Sequence, residues 1–150
     1  MSGEAFPEEG AFLWPVRVYY EDTDAGGVVY HAGYLRFMER ARTEWLRSFG
    51  LEQGRLAAGA GLAFVVTRVE IDFVAPARLD DALVVSVAVV RRRPASLEMV
   101  QSVRDEASGR LLVRARVRVA ALDRGFRPTR VPEVLGERLA GLGPGGGAVS

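Results

Sequence analysis

The sequence predicts an α+β protein in which one long central helix is wrapped by a curved, largely antiparallel sheet of about five strands. Two observations predict this class. Apolar residues recur with helical period once, over His31–Phe49, and four segments after it have the two-residue period of strands. Because these strands follow one another without helices between them, an antiparallel sheet is favoured over a parallel α/β arrangement.

The chain before the helix contains a short strand and a turn. Large residues alternate over Val16–Tyr20, just after Trp14-Pro15, which predicts a strand. Asp, Thr and Gly dominate Glu21–Gly27 and favour a tight turn that leads into the helix. The predicted helix then has a continuous apolar face, and Gly50 is a plausible end for it. That face consists of Tyr34, Phe37, Met38, Ala41, Trp45 and Phe49.

Four strands are expected after a Gly/Ala-rich segment at Leu51–Gly61, which is either a connector or a short second helix. The first strand alternates apolar and charged residues, the second is almost continuously apolar, and a turn at 106–109 joins the third to the fourth. The predicted strands are Phe64–Val74, Leu83–Val90, Ser96–Asp105 and Leu111–Leu122. A further short helix is predicted around Pro132–Leu139.

The chain of 150 residues is expected to form a single domain. Its core is predicted to span about residues 14–128, because no linker or internal repeat divides it. Residues 1–13 and 140–150, rich in Gly, are expected to be flexible.

Composition excludes several classes of function. Hydrophobic residues make up 49% of the chain and the formal net charge is +1, which argues against electrostatic binding of nucleic acid. No apolar run is long enough to span a membrane and no secretory signal is visible, so a cytoplasmic location is expected. Cysteine and lysine are both absent, which excludes disulfides, a thiol nucleophile and Schiff-base chemistry.

Common catalytic centres are also excluded by residue type. His31 is the only histidine, so a metal site built on several imidazoles is impossible, and neither metal nor cofactor is expected. The chain contains no Gly-x-Ser-x-Gly elbow and no phosphate-binding Gly-Lys-Ser/Thr loop.

A cluster of polar residues remains at the junction of strand and helix. Asp22 and Asp24 lie in a turn with Gly26 and Gly27, ahead of the helix that starts near His31. Unpaired amides at a helix N-terminus polarise a carbonyl oxygen, and a nearby carboxylate attacks the carbonyl or activates water. From residue types and spacing alone, the simpler interpretation is favoured, in which these residues cap the helix and turn the chain.

A longer run of residues is similar to a known family. It extends from Tyr20 through Asp22-Thr23-Asp24-Ala25-Gly26-Gly27 and Tyr30-His31 to Glu39-Arg40-Ala41-Arg42, and continues in Ala63-Phe64-Val65-Val66 and Ala75-Pro76-Ala77-Arg78. This pattern resembles the 4-hydroxybenzoyl-CoA thioesterase-like hot-dog family, and most closely the acyl-CoA thioesterases associated with the Tol-Pal system. The resemblance covers about residues 14–128 and implies a hot-dog fold and hydrolysis of an acyl thioester to a free acid and the coenzyme A thiol.

The resemblance also implies roles for individual residues. Asp24 matches the catalytic carboxylate, as nucleophile or general base. His31 matches the helix-start position whose backbone amide polarises the thioester carbonyl, and its ring assists hydrolysis or positions water. Tyr20 and Asp22, with Gly26 and Gly27, are expected to shape the site. Glu39 is expected to pair with a nearby arginine.

The remaining predictions concern two arginine clusters, the substrate and the oligomeric state. Arg91, Arg92 and Arg93 are candidates for binding the phosphates of coenzyme A, with a solvated turn as the equal alternative. Arg114, Arg116 and Arg118 are expected to form a solvated outer face. The substrate is expected to be acyl-CoA or an acyl carrier protein. Because one sheet edge is left open, a homodimer or homotetramer is expected.

Two other functions fit the same fold class. One is a non-catalytic module that binds acyl groups or acyl carrier protein, and the other is a hot-dog dehydratase or hydratase. A structural role in an envelope complex is suggested only by the family's name. The sequence leaves open the acyl chain preference, the acyl donor, the oligomeric state and the role of Asp24 as nucleophile or base.

Overall fold

The computed structural model describes residues 10–59 and 61–135. Five strands and two full α-helices are present in this part of the chain, besides a short 3₁₀ turn at Tyr20–Asp22 and helical residues at 133–135. In chain order they are β1 (Phe12–Arg17), α1 (His31–Arg47), α2 (Gln53–Ala58), β2 (Ala63–Phe73), β3 (Ala82–Arg93), β4 (Ser96–Asp105) and β5 (Leu111–Leu122). The predicted α+β class, with one long helix and five strands, is confirmed.

The five strands form one antiparallel sheet in the order β1-β3-β4-β5-β2. The helix-facing side carries every second residue of the three central strands, and these side chains are buried. Residues such as Val85, Val103 and Val113 are completely shielded from solvent. This pattern is the expected outcome of strand alternation when one face is covered.

The long helix α1 covers the inner face of the sheet. Its buried residues repeat three and four positions apart, as an amphipathic helix requires. They are Gly33, Tyr34, Phe37, Met38, Ala41, Trp45 and Leu46. The helix ends at Arg47, and Gly50 follows in the left-handed region with φ +83°, where its amide donates to the Arg47 carbonyl at 2.9 Å. The predicted stop at Gly50 is therefore confirmed.

The first strand lies earlier in the chain than the sequence indicates. It starts at Phe12, which pairs with Val87, and ends at Arg17, which pairs with Ala82. Residues 12 and 13 of the predicted flexible lead-in are thus part of the sheet. Pro15 is tolerated because β1 is an edge strand, where a missing N–H can face solvent.

The strand β2 forms the other edge of the sheet and pairs only with β5. Three of its apolar residues remain partly exposed: Val65 and Val69 are each 37% exposed and Phe73 is 43% exposed. A register shift between Val66 and Arg68 interrupts the pairing with β5. Apolar side chains at an open edge are unusual in a monomer and mark a surface that another chain can cover.

Some sequence predictions fall wholly or partly outside the described residues. Residues 133–135 are helical, in agreement with the start of the helix predicted at Pro132–Leu139, and the rest of that helix lies outside the described part. The predicted flexible tail, residues 140–150, and residues 1–9 of the lead-in also lie outside it.

Candidate functional site

Asp24 sits in a tight turn between β1 and α1. Its Oδ1 accepts a hydrogen bond from the Gly26 amide at 2.8 Å, and its backbone carbonyl accepts one from the Gly27 amide at 2.9 Å. Gly27 has φ +81°, a conformation that side chains rarely adopt, so glycine is required there. The carboxylate is exposed, and Oδ2 accepts no hydrogen bond from the described residues. One carboxylate oxygen therefore fixes the turn and the other is available for chemistry.

Asp22, two residues earlier, is in a different environment. It is only 7% exposed and ends a short 3₁₀ turn at Tyr20–Asp22. Its Oδ2 accepts the Tyr19 amide at 2.8 Å, and its Oδ1 lies 3.5 Å from the Arg36 guanidinium. Both carboxylate oxygens of Asp22 are thus used to hold the chain ahead of the helix, and its site-shaping role stays a prediction.

The helix N-terminus leaves amides available next to this turn. Tyr30 precedes α1 in an extended conformation and its side chain forms no cap. The Gly33 amide donates to the Tyr30 carbonyl at 2.8 Å, whereas the amides of His31 and Ala32 donate to no described residue. Free amides at this end of a helix, together with the helix dipole, favour negative charge on a nearby oxygen.

Residues from the segment before β3 hold the loop in place. The Val29 amide donates to the Ala77 carbonyl at 2.9 Å, and the Ala77 amide donates to the Tyr34 hydroxyl at 2.9 Å. Burial raises the pKa of the Tyr34 phenol, and the hydrogen bond from Ala77 offsets part of this effect. The loop that carries Asp24 is therefore linked through Ala77 to both the helix α1 and the segment before β3.

Asp24 and His31 line one cavity of about 400 Å³. The His31 ring stacks on Phe73 at the end of β2, with ring centroids 4.3 Å apart, and Tyr34 contacts the same ring at 5.8 Å. The walls are otherwise apolar or aromatic. The lining residues are Asp24, Val28, Val29, Tyr30, His31, Tyr34, Phe73, Val74, Ala75 and Pro76.

This cavity includes three aromatic residues that sequence reasoning did not assign to the site, namely Tyr30, Tyr34 and Phe73. Tyr34 was assigned only to the core face of the helix, yet it lies three positions after His31 and hence on the same side. Phe73 was assigned to a strand face, and no local signal in the sequence indicates that it meets His31. The arrangement offers an exposed carboxylate, free helix amides and an apolar wall, which suits attack on a carbonyl group.

The remaining predicted site residues are not at this cavity. Tyr20 is 82% exposed and contributes its carbonyl, which accepts the Thr23 hydroxyl at 2.8 Å. Gly26 and Gly27 shape the Asp24 turn without lining the cavity. Arg91, Arg92 and Arg93 lie at the end of β3, whereas the loop that carries Asp24 contacts the chain just before the start of β3. The two ends of this strand are about nine residues apart, which at 3.3 Å per residue is roughly 30 Å. One chain does not bring these arginines to Asp24.

Two of the three arginines on the predicted outer face of β5 are matched by acidic residues on neighbouring strands. Arg118 lies 3.3 Å from Glu98 on β4, and Arg114 lies 3.9 Å from Asp72 on β2. The Arg118 hydrogen bond holds the pKa of the Glu98 carboxyl below its ordinary value. The outer face therefore carries paired charges of both signs, as the predicted solvated face would, and not a continuous basic surface.

A second, larger cavity of about 540 Å³ lies farther along α1, between the helix and the inner faces of β2, β4 and β5. Glu39 and Arg42 both line it. Glu39 forms no ion pair with a described residue, although its charge partly offsets the burial that lowers the pKa of Arg42. The predicted pairing of Glu39 with an arginine is thus an electrostatic interaction at longer range.

The described residues give no sign of a metal centre or a membrane span. Over residues 10–59 and 61–135, no group of three or more His, Cys, Asp and Glu side chains is arranged to hold a metal ion. No helix in the same ranges is both long and apolar enough to cross a bilayer.

Residues 18–139 match the family described as the thioesterase-like superfamily. The chain is 50% identical over 112 residues to the acyl-CoA thioester hydrolase YbgC of Escherichia coli, which covers 75% of this chain and 82% of that protein. It is 45% identical over 126 residues to the acyl-CoA thioesterase YbgC of Haemophilus influenzae, and this alignment covers 83% of this chain and 91% of that protein. A probable thioesterase from Bartonella henselae has a similar structure, with a TM-score of 0.77 and 38% sequence identity. The superposition covers 81% of this chain and 99% of that one.

Proposed function

The chain belongs to the thioesterase-like superfamily and has a hot-dog fold, and from this premise we propose that it is an acyl-CoA thioester hydrolase with Asp24 as the catalytic carboxylate. One observation carries the assignment of the site. Asp24 and the start of α1 at His31 line the same cavity, and each contributes an unused hydrogen-bonding group.

The helix N-terminus polarises the thioester in this proposal. The carbonyl oxygen accepts hydrogen bonds from the amides of His31 and Ala32, which donate to no described residue. As the carbonyl carbon is attacked, negative charge develops on this oxygen and these donors stabilise it. The His31 ring, stacked on Phe73, forms the wall of the cavity, so its backbone rather than its ring is the catalytic group.

Asp24 delivers the attack through Oδ2. As a nucleophile, it forms an acyl anhydride and expels the coenzyme A thiolate, and water then cleaves the anhydride. As a general base, it removes a proton from the water that attacks the carbonyl carbon. Both routes consume one water, break the carbon–sulfur bond and give a free acid and a thiol. A single turnover in ¹⁸O-labelled water tests for the anhydride, because label that enters the Asp24 side chain requires attack of water on the aspartyl carbon and cannot arise in the general-base route.

Substitution of Asp24 by Asn tests the proposal. The amide retains the shape and the hydrogen bond to Gly26 but loses the charge, so we expect the release of thiol from acyl-CoA to fall by about 100- to 10,000-fold. The matched control is Asp123→Asn, since Asp123 accepts the Gly125 amide at 2.8 Å in a similar exposed turn outside the cavity. Unchanged turnover in the Asp24 variant, or an equal loss in the control, contradicts the assignment.

Replacing His31 by Ala distinguishes its ring from its amide. The backbone amide remains in this variant, so we expect a smaller loss of turnover than for Asp24→Asn, with the pH profile shape retained. A loss as large as that of the Asp24 variant would assign the chemistry to the imidazole.

We propose a homodimer in which the open edge of β2 pairs with a second copy. The partly exposed Val65 and Val69 on that edge support this, because pairing would cover them and satisfy the free strand edge. Val69→Asp places a charge in the proposed interface, and we expect light scattering to show a monomer. Asp72→Asn, on the outer face of the same strand, is the control, and a dimer that survives Val69→Asp refutes this interface.

A further inference from the structure

Arg42 lies in the wall of the 540 Å³ cavity, where most of its neighbours are apolar. The cavity runs between α1 and the inner sheet face, and among the described residues only Arg36, Glu39 and Arg42 bring charge to it. Two of these three are positive. A cation held against an apolar cavity is a specificity feature, because a few placed polar groups fix how a ligand lies in a largely apolar site.

A buried glutamine holds the Arg42 guanidinium in place. Gln101 on β4 is completely buried, and its amide nitrogen donates to the carbonyls of Met38 at 3.1 Å and Ser86 at 3.3 Å. These two bonds fix the orientation of the side chain, so its oxygen faces the helix. Arg42 Nη1 donates to that oxygen at 2.9 Å. The position of the cation is therefore set by the core and not by a flexible surface contact.

The positive charge of Arg42 has no carboxylate partner within ion-pair distance among the described residues. Burial lowers the pKa of the guanidinium and the nearby charge of Glu39 partly reverses this, but arginine remains protonated at neutral pH. Only one of its five N–H groups is bonded to a described residue. A partly desolvated cation whose acidic neighbour, Glu39, lies beyond ion-pair distance is stabilised further when an anion binds it directly.

We propose that this cavity binds acyl groups that end in a carboxylate, and that Arg42 recognises the carboxylate. The inference rests on the proposed acyl-CoA hydrolysis and adds a substrate class to it. The thioester lies at His31 in the 400 Å³ cavity, and the methylene chain continues along α1 into the 540 Å³ cavity, whose lining begins at Leu35. The terminal carboxylate then accepts the free N–H groups of Arg42. A guanidinium suits this ligand because its planar donors match the two oxygens of a carboxylate.

The length of the helix sets the range of chains to test. His31 and Arg42 are eleven residues apart, which is about 16 Å along the axis, and the side chain leans toward the N-terminus. The full-length protein is assayed with coenzyme A thioesters of dicarboxylic acids of six to twelve carbons. Each is compared with its methyl ester, which is neutral, and with the simple fatty acyl thioester of the same length.

At the best chain length, we expect kcat/KM for the free carboxylate to exceed that for its methyl ester by about tenfold to a hundredfold. Arg42→Gln should bring this ratio close to one and leave the simple acyl thioester little changed. The matched control is Arg40→Gln, since Arg40 is an exposed arginine of the same helix that does not line the cavity. The control should keep the wild-type ratio.

A wild-type ratio of one at every chain length overturns the proposal, and this result requires no variant to fold. The proposal also fails if Arg42→Gln lowers the turnover of all three thioesters equally, because Arg42 then has a structural role. The same conclusion holds if the variant converts a dimer to a monomer and the wild-type protein does not prefer the free carboxylate over its methyl ester. Failure of hydrolysis itself is distinguishable. If no thioester releases thiol, equilibrium binding of the same thioesters to the Asp24→Asn variant still measures the preference for a carboxylate.

Discussion

Asp22 and Asp24 lie two residues apart in the same turn, and their substitution by Asn should affect different properties. Asp22 is 7% exposed and accepts the Tyr19 amide at 2.8 Å, a hydrogen bond to a charged group. Such a bond contributes about 1.5–3 kcal/mol to stability, and roughly half of this is lost when the acceptor becomes neutral. The contact with Arg36 at 3.5 Å adds up to about 1 kcal/mol, since the arginine is largely exposed.

The free energy of unfolding of Asp22→Asn should therefore fall by about 1–2 kcal/mol, which lowers the melting temperature by roughly 2–8 °C in a chain of this size. Asp24 is exposed, and Asn is equally suited to its turn, so Asp24→Asn should change stability by less than about 0.5 kcal/mol. Urea and thermal unfolding give these values. Thiol release, measured well below the transition, should persist in the Asp22 variant and be lost in the Asp24 variant.

Two results would refute this reasoning. If Asp24→Asn loses as much stability as Asp22→Asn, the Asp24 carboxylate is a structural part of the turn and its exposure does not indicate chemistry. If the folded Asp22 variant loses turnover by orders of magnitude without loss of stability, the buried carboxylate acts in the reaction. The pair thus separates the capping and catalytic interpretations that residue types alone left open.

Three further predictions concern glycines and the buried phenol. Gly27→Ala, at φ +81°, should lower the free energy of unfolding by about 1 kcal/mol, whereas Gly54→Ala, in α2 with open space around it, should not lower it. Gly33→Ala would place a methyl group 2.8 Å from Val29 Cγ1, so urea denaturation should show a loss of about 1–3 kcal/mol. Burial raises the pKa of Tyr34 in the folded protein, so the neutral phenol stabilises the fold below pH 10, and this contribution is lost as pH rises through the folded-state pKa. Tyr34→Phe should therefore flatten the fall in unfolding free energy at alkaline pH.

Most of the secondary structure could be predicted from the sequence because it depends on short-range patterns. The strands β4 and β5 have the bounds that alternation predicts, and α1 begins at the predicted His31. The first strand was placed too late because Trp14-Pro15 suggested a strand start. Pairing of Phe12 with Val87 depends on a strand far along the chain and leaves no local signal.

The family resemblance predicted from the block between Tyr20 and Arg42 is confirmed by the match of residues 18–139 to the thioesterase-like superfamily. The roles of Asp24, His31 and Arg91–Arg93 stay predictions, and the structure adds the position of each residue. It gives Asp24 an unused oxygen in a cavity shared with His31, and it leaves the three arginines at the opposite end of β3.

The sequence by itself determined the period of each element, the turn around Asp24 and the absence of thiol, lysine and multi-histidine chemistry. These properties depend on residue type and on neighbours within a few positions. Only the tertiary structure decided the strand order β1-β3-β4-β5-β2, the burial of Asp22 and the contacts of His31 with Phe73 and of Arg42 with Gln101. Each of these contacts joins distant parts of the chain, or depends on packing around the residue, and is fixed when the core forms.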